Sequence, residues 1–349
     1  MRSTWLYLLF ISVAATSSVL SAQQQPGAPI FISAAQLPSL LDSFSVDNTT
    51  KRIVLQNTGV RGSPHINFQL WLPAGFATGD RTKSWPTVFF LHGADEGEGG
   101  SHEFDRVSRH GLPHKIEERR PFNEKFVLVT PQCPLVNGSA ALVWTEPEVI
   151  AALEALREAI LASSRCDARR TFLTGLSHGG DGVWEFAHRH PAPARGAARQ
   201  HAWAAIAPMG SMWPHADVPN AAAARSLRRM RIWVVHCKND RAALIQLNAR
   251  GQPRCLPIQF NMNKPAVLEC GTGADAVVEA LRAVPGGEEL PALDYDRLDN
   301  CPDPRAPTDT SDGFSTDYPD FRHTAGHDAW TRKYASEAFV DWLDDGVAI

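Results

Sequence analysis

The chain has 349 residues and a formal net charge of -4, with 44% hydrophobic and 21% charged residues. These values are typical of a globular protein with a large hydrophobic core, and the negative balance argues against a nucleic-acid-binding surface. Beyond the N-terminal segment, no stretch reaches the roughly 18 consecutive apolar residues of a membrane span.

The N-terminal segment has the pattern of a secretory signal peptide. Arg2 supplies a positive start, residues 5–13 are almost wholly apolar, and small residues lead to Ala22. We therefore expect residues 1–22 to be removed, leaving residues 23–349 as a single secreted domain with no stable membrane span. An uncleaved membrane anchor is the alternative, although the apolar run is short for a span.

Secretion places the cysteines in an oxidising compartment, where disulfides form. The chain has six of them: Cys133, Cys166, Cys237, Cys255, Cys270 and Cys301. Their spacing matches no zinc-binding pattern. We expect one to three disulfides, but the sequence does not choose among the possible pairings. Asn48 and Asn137 begin glycosylation sequons, which matter only in a eukaryotic source.

Strands and helices alternate along most of the chain. Apolar patterns predict strands at 66–72, 86–91, 126–130, 171–174, 203–208 and 231–236, with a possible short one at 321–324. Helices are predicted at 148–163, 181–188, 274–283 and 335–343. This alternation favours right-handed crossovers and a mostly parallel, doubly wound α/β sheet flanked by helices.

Two segments break the alternation. Residues 241–273 and 285–320 are rich in Gly, Pro, Asn and Asp, and together they contain Cys255, Cys270 and Cys301. Long loops in a compact domain are usually functional or disordered, and the cysteines indicate ordered structure. We expect two loop insertions, either of which could form a lid.

Residues 175–179, Gly-Leu-Ser-His-Gly, match the nucleophile elbow pattern. A β-prone run leads into them and a helix-compatible segment follows. In that context the glycines allow a tight turn that exposes the serine hydroxyl. Ser177 is therefore the candidate nucleophile.

The elbow predicts an acid and then a histidine further along the chain. Asp240 follows the strand at 231–236 and is the candidate acid, which would fix the histidine tautomer; the aspartates between 294 and 320 are its rivals. His327 precedes the last predicted helix and is the candidate base, because a neutral imidazole can accept the serine proton near pH 7. His323 is the alternative base.

Two backbone N–H groups should form an oxyanion hole. One belongs to His178, directly after the nucleophile, and the other to Gly93 or Ala94, in the loop after the strand at 86–91.

Two other groups of residues are candidate metal sites, with less specific patterns than the nucleophile elbow. His188, His190 and His201 could form a cluster, and Asp294, Asp296 and Asp299 loosely resemble a calcium loop, but the latter lack its spacing and glycine. We expect no metal and no organic cofactor.

Further motifs surround these candidates in a fixed order. They are Leu91-His92-Gly93-Ala94, Gly111-Leu112-Pro113, Pro131-Gln132-Cys133-Pro134, Trp144, Gly175 to Gly180 with Trp184, Ala207-Pro208-Met209-Gly210, and Gly326 to Trp330. From about residue 66 to the C-terminus, this ordered set resembles a branch of the α/β-hydrolases. Its members are secreted esterases often labelled predicted peptidase or phospholipase/carboxylesterase-like.

The resemblance implies an α/β-hydrolase fold, a triad of Ser177, Asp240 and His327, and a site shaped or supported from behind by residues 131–134 and Trp144. Near the candidate acid, this sequence differs from the usual family pattern in two ways. Cys237 stands where the family usually has a glycine after histidine, and the expected insertion at 241–273 follows the acid directly.

The implied activity is hydrolysis of a carboxylic ester, in a small molecule or linked to a polymer, through an acyl-enzyme. A serine peptidase on the same fold is one alternative; we favour the ester because the chain has no length for a gating propeller. A non-catalytic binding protein on a hydrolase scaffold is the other alternative. The acyl group, the alcohol and the oligomeric state are left open by the sequence.

Overall fold

The structure is a computed structural model. It describes residues 30–44, 50–60, 63–93, 96–97, 104–118, 125–134, 144–190, 203–215, 217–238, 255–258, 267–270, 273–285, 291–299, 301, 328–334 and 336–345. Residues 1–22, Ala94, Asp240 and His327 lie outside these ranges.

Within the described residues, nine strands form one mixed sheet and two strands form a separate antiparallel pair. In chain order the strands are β1 Ile30–Ser33, β2 Thr50–Val60, β3 Ser63–Trp71, β4 Trp85–Leu91, β5 Val127–Pro131, β6 Cys166–Leu176, β7 Ala205–Met209, β8 Arg231–Cys237, β9 Cys255–Ile258, β10 Val267–Cys270 and β11 Leu293–Leu298. The order across the main sheet is β1-β2-β3-β5-β4-β6-β7-β8-β11. Strand β3 is antiparallel to both neighbours, and the other neighbouring pairs are parallel.

Helices cover both faces of this sheet. They are α1 Leu37–Ser43, α2 Gly111–Glu118, α3 Pro147–Leu161, α4 His178–Arg189, α5 Ala221–Leu227, α6 Ala274–Arg282, α7 Thr331–Tyr334 and α8 Glu337–Asp345, with a short 3-10 helix at Phe104–Ser108. Alternate side chains of β4 enter opposite cores: Phe89 and Leu91 belong to the buried cluster that includes residues of α3, α4 and α6, whereas Val88 and Phe90 belong to the cluster that includes residues of α2 and α8. The predicted doubly wound α/β architecture is confirmed.

Strand β11 corrects one expectation. It lies inside the segment 285–320, which was expected to be a loop insertion, yet it pairs in parallel with β8 from Leu293 opposite Ile232 to Leu298 opposite Cys237. The strand was hidden by its polar sequence, because an edge strand can carry charged side chains without burying them.

The other expected insertion, 241–273, contains β9 and β10. Their register places Cys270 opposite Cys255. Elsewhere, Cys237 and Cys301 form a disulfide, so at least one of the expected cysteine pairs is present, and the side chains of Cys133 and Cys166 are buried.

In the part of the chain that the structure describes, no helix combines the length and apolar character that a bilayer span requires.

Candidate active site at the carboxyl edge of the sheet

Ser177 occupies a strained turn between β6 and α4. Its backbone has φ 53° and ψ -124°, and among the described residues it is the one non-glycine residue with positive φ. The Ser177 N–H donates to the Met209 carbonyl at 2.9 Å, and its own carbonyl accepts from the Asp181 N–H at 3.1 Å. Such strain costs about 1–3 kcal/mol and occurs mostly at functional sites. The half-buried Ser177 side chain therefore lies at the sharp turn that a nucleophile elbow requires.

The two glycines of the elbow are required by close backbone contacts. A β-carbon on Gly175 would lie 2.6 Å from the carbonyl group of Gly179. A β-carbon on Gly179 would overlap the carbonyl oxygen of Leu91, at the end of β4. The pattern Gly-x-Ser-x-Gly thus brings the elbow against the loop that follows β4.

A neutral histidine holds that loop. His92 is buried, and its Nε2 accepts from the Cys133 N–H at 2.9 Å. Nδ1 must then carry the proton, so it donates to the Gly93 carbonyl at 2.7 Å. Burial lowers the pKa of His92 from 6.5 to about 4, so this tautomer persists at neutral pH.

The N–H of Gly93 also has a partner. It donates at 2.7 Å to Oε2 of Glu96, whose side chain is buried. A β-carbon on Gly93 would lie 2.9 Å from Leu176 Cδ1 and 3.9 Å from the Ser177 β-carbon, so this peptide borders Ser177. Of the two residues predicted for the second oxyanion donor, Gly93 therefore has its N–H engaged by the protein. Sequence analysis did not single out Glu96.

Residues of the 131–134 motif and Trp144 contact the same loop from behind. Gln132 Nε2 donates to the Glu96 carbonyl at 3.1 Å, and the Gln132 N–H donates to the Asn67 carbonyl at 2.7 Å. The indole N–H of Trp144 donates to the His92 carbonyl at 2.9 Å. These contacts hold the loop that follows β4 against the end of β5 and Trp144.

The predicted acid and base lie outside the described residues, but the strands before them are described. Asp240 follows β8 by three residues, and His327 lies between β11 and α7. Because β6, β7, β8 and β11 are parallel neighbours, their carboxyl ends share one edge. The end of β8 is two strand spacings, about 10 Å, from the end of β6.

A buried hydrogen bond anchors the segment after His327 to the strand before Ser177. The Thr174 hydroxyl donates to the Ala207 carbonyl at 2.7 Å. The buried Tyr334 hydroxyl, 2.7 Å from Thr174 Oγ1, must therefore be the donor in that second contact. Burial raises the pKa of Tyr334 above its ordinary value, so the hydroxyl keeps its proton.

The described side chains of both candidate metal sites contact other residues in the structure. His188 packs edge-on against Trp213, and His190 stacks on Phe186; His201 lies outside the described residues. Asp294 accepts from the Trp342 indole, Asp296 pairs with Lys333, and Asp299 pairs with Lys238. Within the described ranges, no three His, Cys, Asp or Glu side chains are grouped so that they could hold a metal ion.

The strand order, the helices on both faces and the strained turn after β6 together define an α/β-hydrolase fold. No family model and no curated protein matches the chain.

Among solved structures, the chain is similar to a protein described as a thermostable esterase, with a TM-score of 0.49 and 15% identity over 85% of this chain. This chain spans 62% of that protein's length. A ferulic acid esterase matches with a TM-score of 0.45 and 15% identity, covering 73% of this chain and 91% of the other. The S954A mutant of a Clostridium thermocellum feruloyl esterase module, complexed with sinapinate, matches with a TM-score of 0.42 and 14% identity. The match covers 72% of this chain and 81% of the other.

Proposed function

We propose that this protein is a secreted serine hydrolase that cleaves carboxylic esters. The observation that carries the proposal is the backbone of Ser177, with φ 53° and ψ -124°, at the tip between β6 and α4. This backbone conformation is unfavourable for an L-residue. A nucleophile elbow explains why it is kept, because the turn between strand and helix exposes a serine hydroxyl at the carboxyl edge of a parallel sheet.

In the proposed reaction, Oγ of Ser177 attacks the ester carbonyl carbon while His327 accepts the hydroxyl proton. Asp240 accepts a hydrogen bond from the other ring nitrogen and holds the tautomer. When the tetrahedral intermediate collapses, the bond to the alcohol oxygen breaks and His327 returns the proton to it. Water then attacks the acyl-enzyme by the same route and releases the acid.

The negative charge on the intermediate needs backbone donors. His178 is the first residue of α4, and the N–H groups of a first helical turn are not consumed inside the helix. The second donor is Ala94 rather than Gly93, because the Gly93 N–H donates to Glu96. Loss of one such donor typically costs about 3 kcal/mol of transition-state stabilisation.

The test compares wild-type protein with Ser177→Ala on a short p-nitrophenyl ester. We expect kcat/KM to fall by at least about 10⁴-fold, because the nucleophile is removed. Ser211→Ala is the matched control: Ser211 is buried beside the elbow, packed against Gly180, and its hydroxyl has no hydrogen-bond partner among the residues that the structure describes. Full activity of folded Ser177→Ala would refute the proposal.

Two further measurements separate the alternatives. Parallel assays of a p-nitrophenyl ester and the p-nitroanilide of the same acid test ester against amide preference, and faster turnover of the anilide would favour a peptidase. A fluorophosphonate probe should label the wild type and not Ser177→Ala. A folded wild-type sample that is not labelled would favour a non-catalytic binding protein.

Secretion is supported by the Arg2-to-Ala22 pattern and by the disulfide between Cys237 and Cys301. Mass spectrometry of the exported protein should find an N-terminus near Gln23. A retained N-terminal segment would instead indicate a membrane anchor.

A further inference from the structure

Glu96 is a buried carboxylic acid that contacts the backbone beside the nucleophile. Its side chain is 4% exposed, and Oε2 accepts the Gly93 N–H at 2.7 Å. The mechanism proposed above gives it no chemical step. A buried carboxyl group is costly unless its environment compensates it, so its position calls for an explanation.

Both polar groups of Gly93 are fixed by the protein. His92 Nδ1 donates to its carbonyl at 2.7 Å, while Glu96 accepts from its N–H. The partners are themselves held, since Cys133 donates to the His92 ring and Gln132 donates to the Glu96 carbonyl. The two peptide planes that meet at Gly93 are therefore held at a set orientation.

The Gly93 peptide lies beside Ser177. A β-carbon on Gly93 would be 3.9 Å from the Ser177 β-carbon. Because the Gly93 N–H donates to Glu96, this peptide cannot rotate to present that N–H to a substrate without losing the bond.

We propose that Glu96 is a positioning residue of the oxyanion hole: by engaging the Gly93 N–H, it fixes the peptide beside Ser177 from which the loop with the second proposed donor begins. The proposal rests on the function proposed above and identifies what holds the start of that loop. Glu96 acts through the backbone and does not touch the substrate.

The test uses Glu96→Ala, which removes the acceptor, and Glu96→Gln, which keeps an oxygen acceptor of the same reach. Misplacement of a catalytic group by 1 Å costs roughly 10²-fold. We therefore expect kcat of Glu96→Ala to fall by about 10- to 100-fold with little change in KM. Glu96→Gln should recover most of that loss. Glu185→Gln is the matched control, because Glu185 is a buried glutamate that bonds to Arg189 rather than to this loop.

A matched ester and thionoester distinguish positioning from general damage to the fold. Sulfur is a weak hydrogen-bond acceptor, so a misplaced donor should slow the ester more than the thionoester. The ester-to-thionoester rate ratio should fall in Glu96→Ala and stay at the wild-type value in Glu185→Gln. If Glu96→Ala does not fold, Glu96→Asp withdraws the carboxyl by about one bond length and should lower the ratio in the same direction.

An unchanged ester-to-thionoester ratio in folded Glu96→Ala, or in Glu96→Asp where the alanine variant does not fold, would overturn the inference, whether the two rates are both unaffected or fall equally. Those results would leave the proposed function intact, provided that Ser177→Ala is inactive. An active Ser177→Ala variant would instead overturn the proposed function, and this inference with it.

Discussion

Removal of the disulfide between Cys237 and Cys301 should lower the free energy of unfolding by about 4 kcal/mol. The two cysteines are 64 residues apart in sequence, and their Cα atoms are 5.8 Å apart. The loop-entropy relation gives about 4.3 kcal/mol at 25 °C for a loop of this length. The β8–β11 ladder remains without the disulfide, including the bond from the Lys238 N–H to the Leu298 carbonyl, so the native fold should persist.

Urea denaturation of the Cys237→Ala/Cys301→Ala variant, followed by tryptophan fluorescence, measures this change. Wild-type protein in reductant should show a decrease of similar size, because both treatments release the same loop. The double variant in reductant is the control, since a further loss there would come from a different disulfide. A change below about 1 kcal/mol in both experiments would refute the entropic reasoning.

Three more predictions follow from individual contacts. His92 is held neutral with a pKa of about 4, below its ordinary 6.5, so the unfolded state binds its proton first as the pH falls. Up to about 3 kcal/mol of stability should be lost between pH 6.5 and 4, and urea titrations of His92→Gln should lack that part of the pH dependence. Tyr334→Phe removes the hydroxyl that donates to Thr174 and should lower the free energy of unfolding by about 1 kcal/mol, measured in urea. Gly179→Ala places a methyl group on the Leu91 carbonyl and should destabilise the protein by about 3 kcal/mol or more, seen as a lower melting temperature.

Strands in the centre of the sheet could be predicted because burial on both faces leaves a continuous apolar run. All seven side chains of β4, and all five of β5, are buried. Strands near the edges carry a different pattern. β2 and β11 were not predicted, since β2 begins Thr-Lys-Arg and β11 alternates Asp with Tyr and Arg.

The elbow could be predicted because its requirements are local: two glycines, a serine and a strand before them. Glu96 could not, because Asp95, Glu96 and Glu98 are all acidic residues close to Gly93 in sequence. Which carboxyl group turns back to a backbone N–H depends on the path of the loop. Gln132, from the neighbouring strand end, holds part of that path by its bond to the Glu96 carbonyl.

The disulfide also explains a difference between this chain and the family that its sequence resembles. That family usually has a glycine before the acid, where this chain has Cys237. Cys237 ends β8, and Cys301 follows β11, so the disulfide ties together the carboxyl ends of the two strands that precede Asp240 and His327 in sequence. A histidine and its orienting carboxylate must remain within hydrogen-bond reach of each other. The disulfide that stands in place of the usual glycine therefore fixes to each other the ends of the two strands that precede the proposed acid and base in sequence.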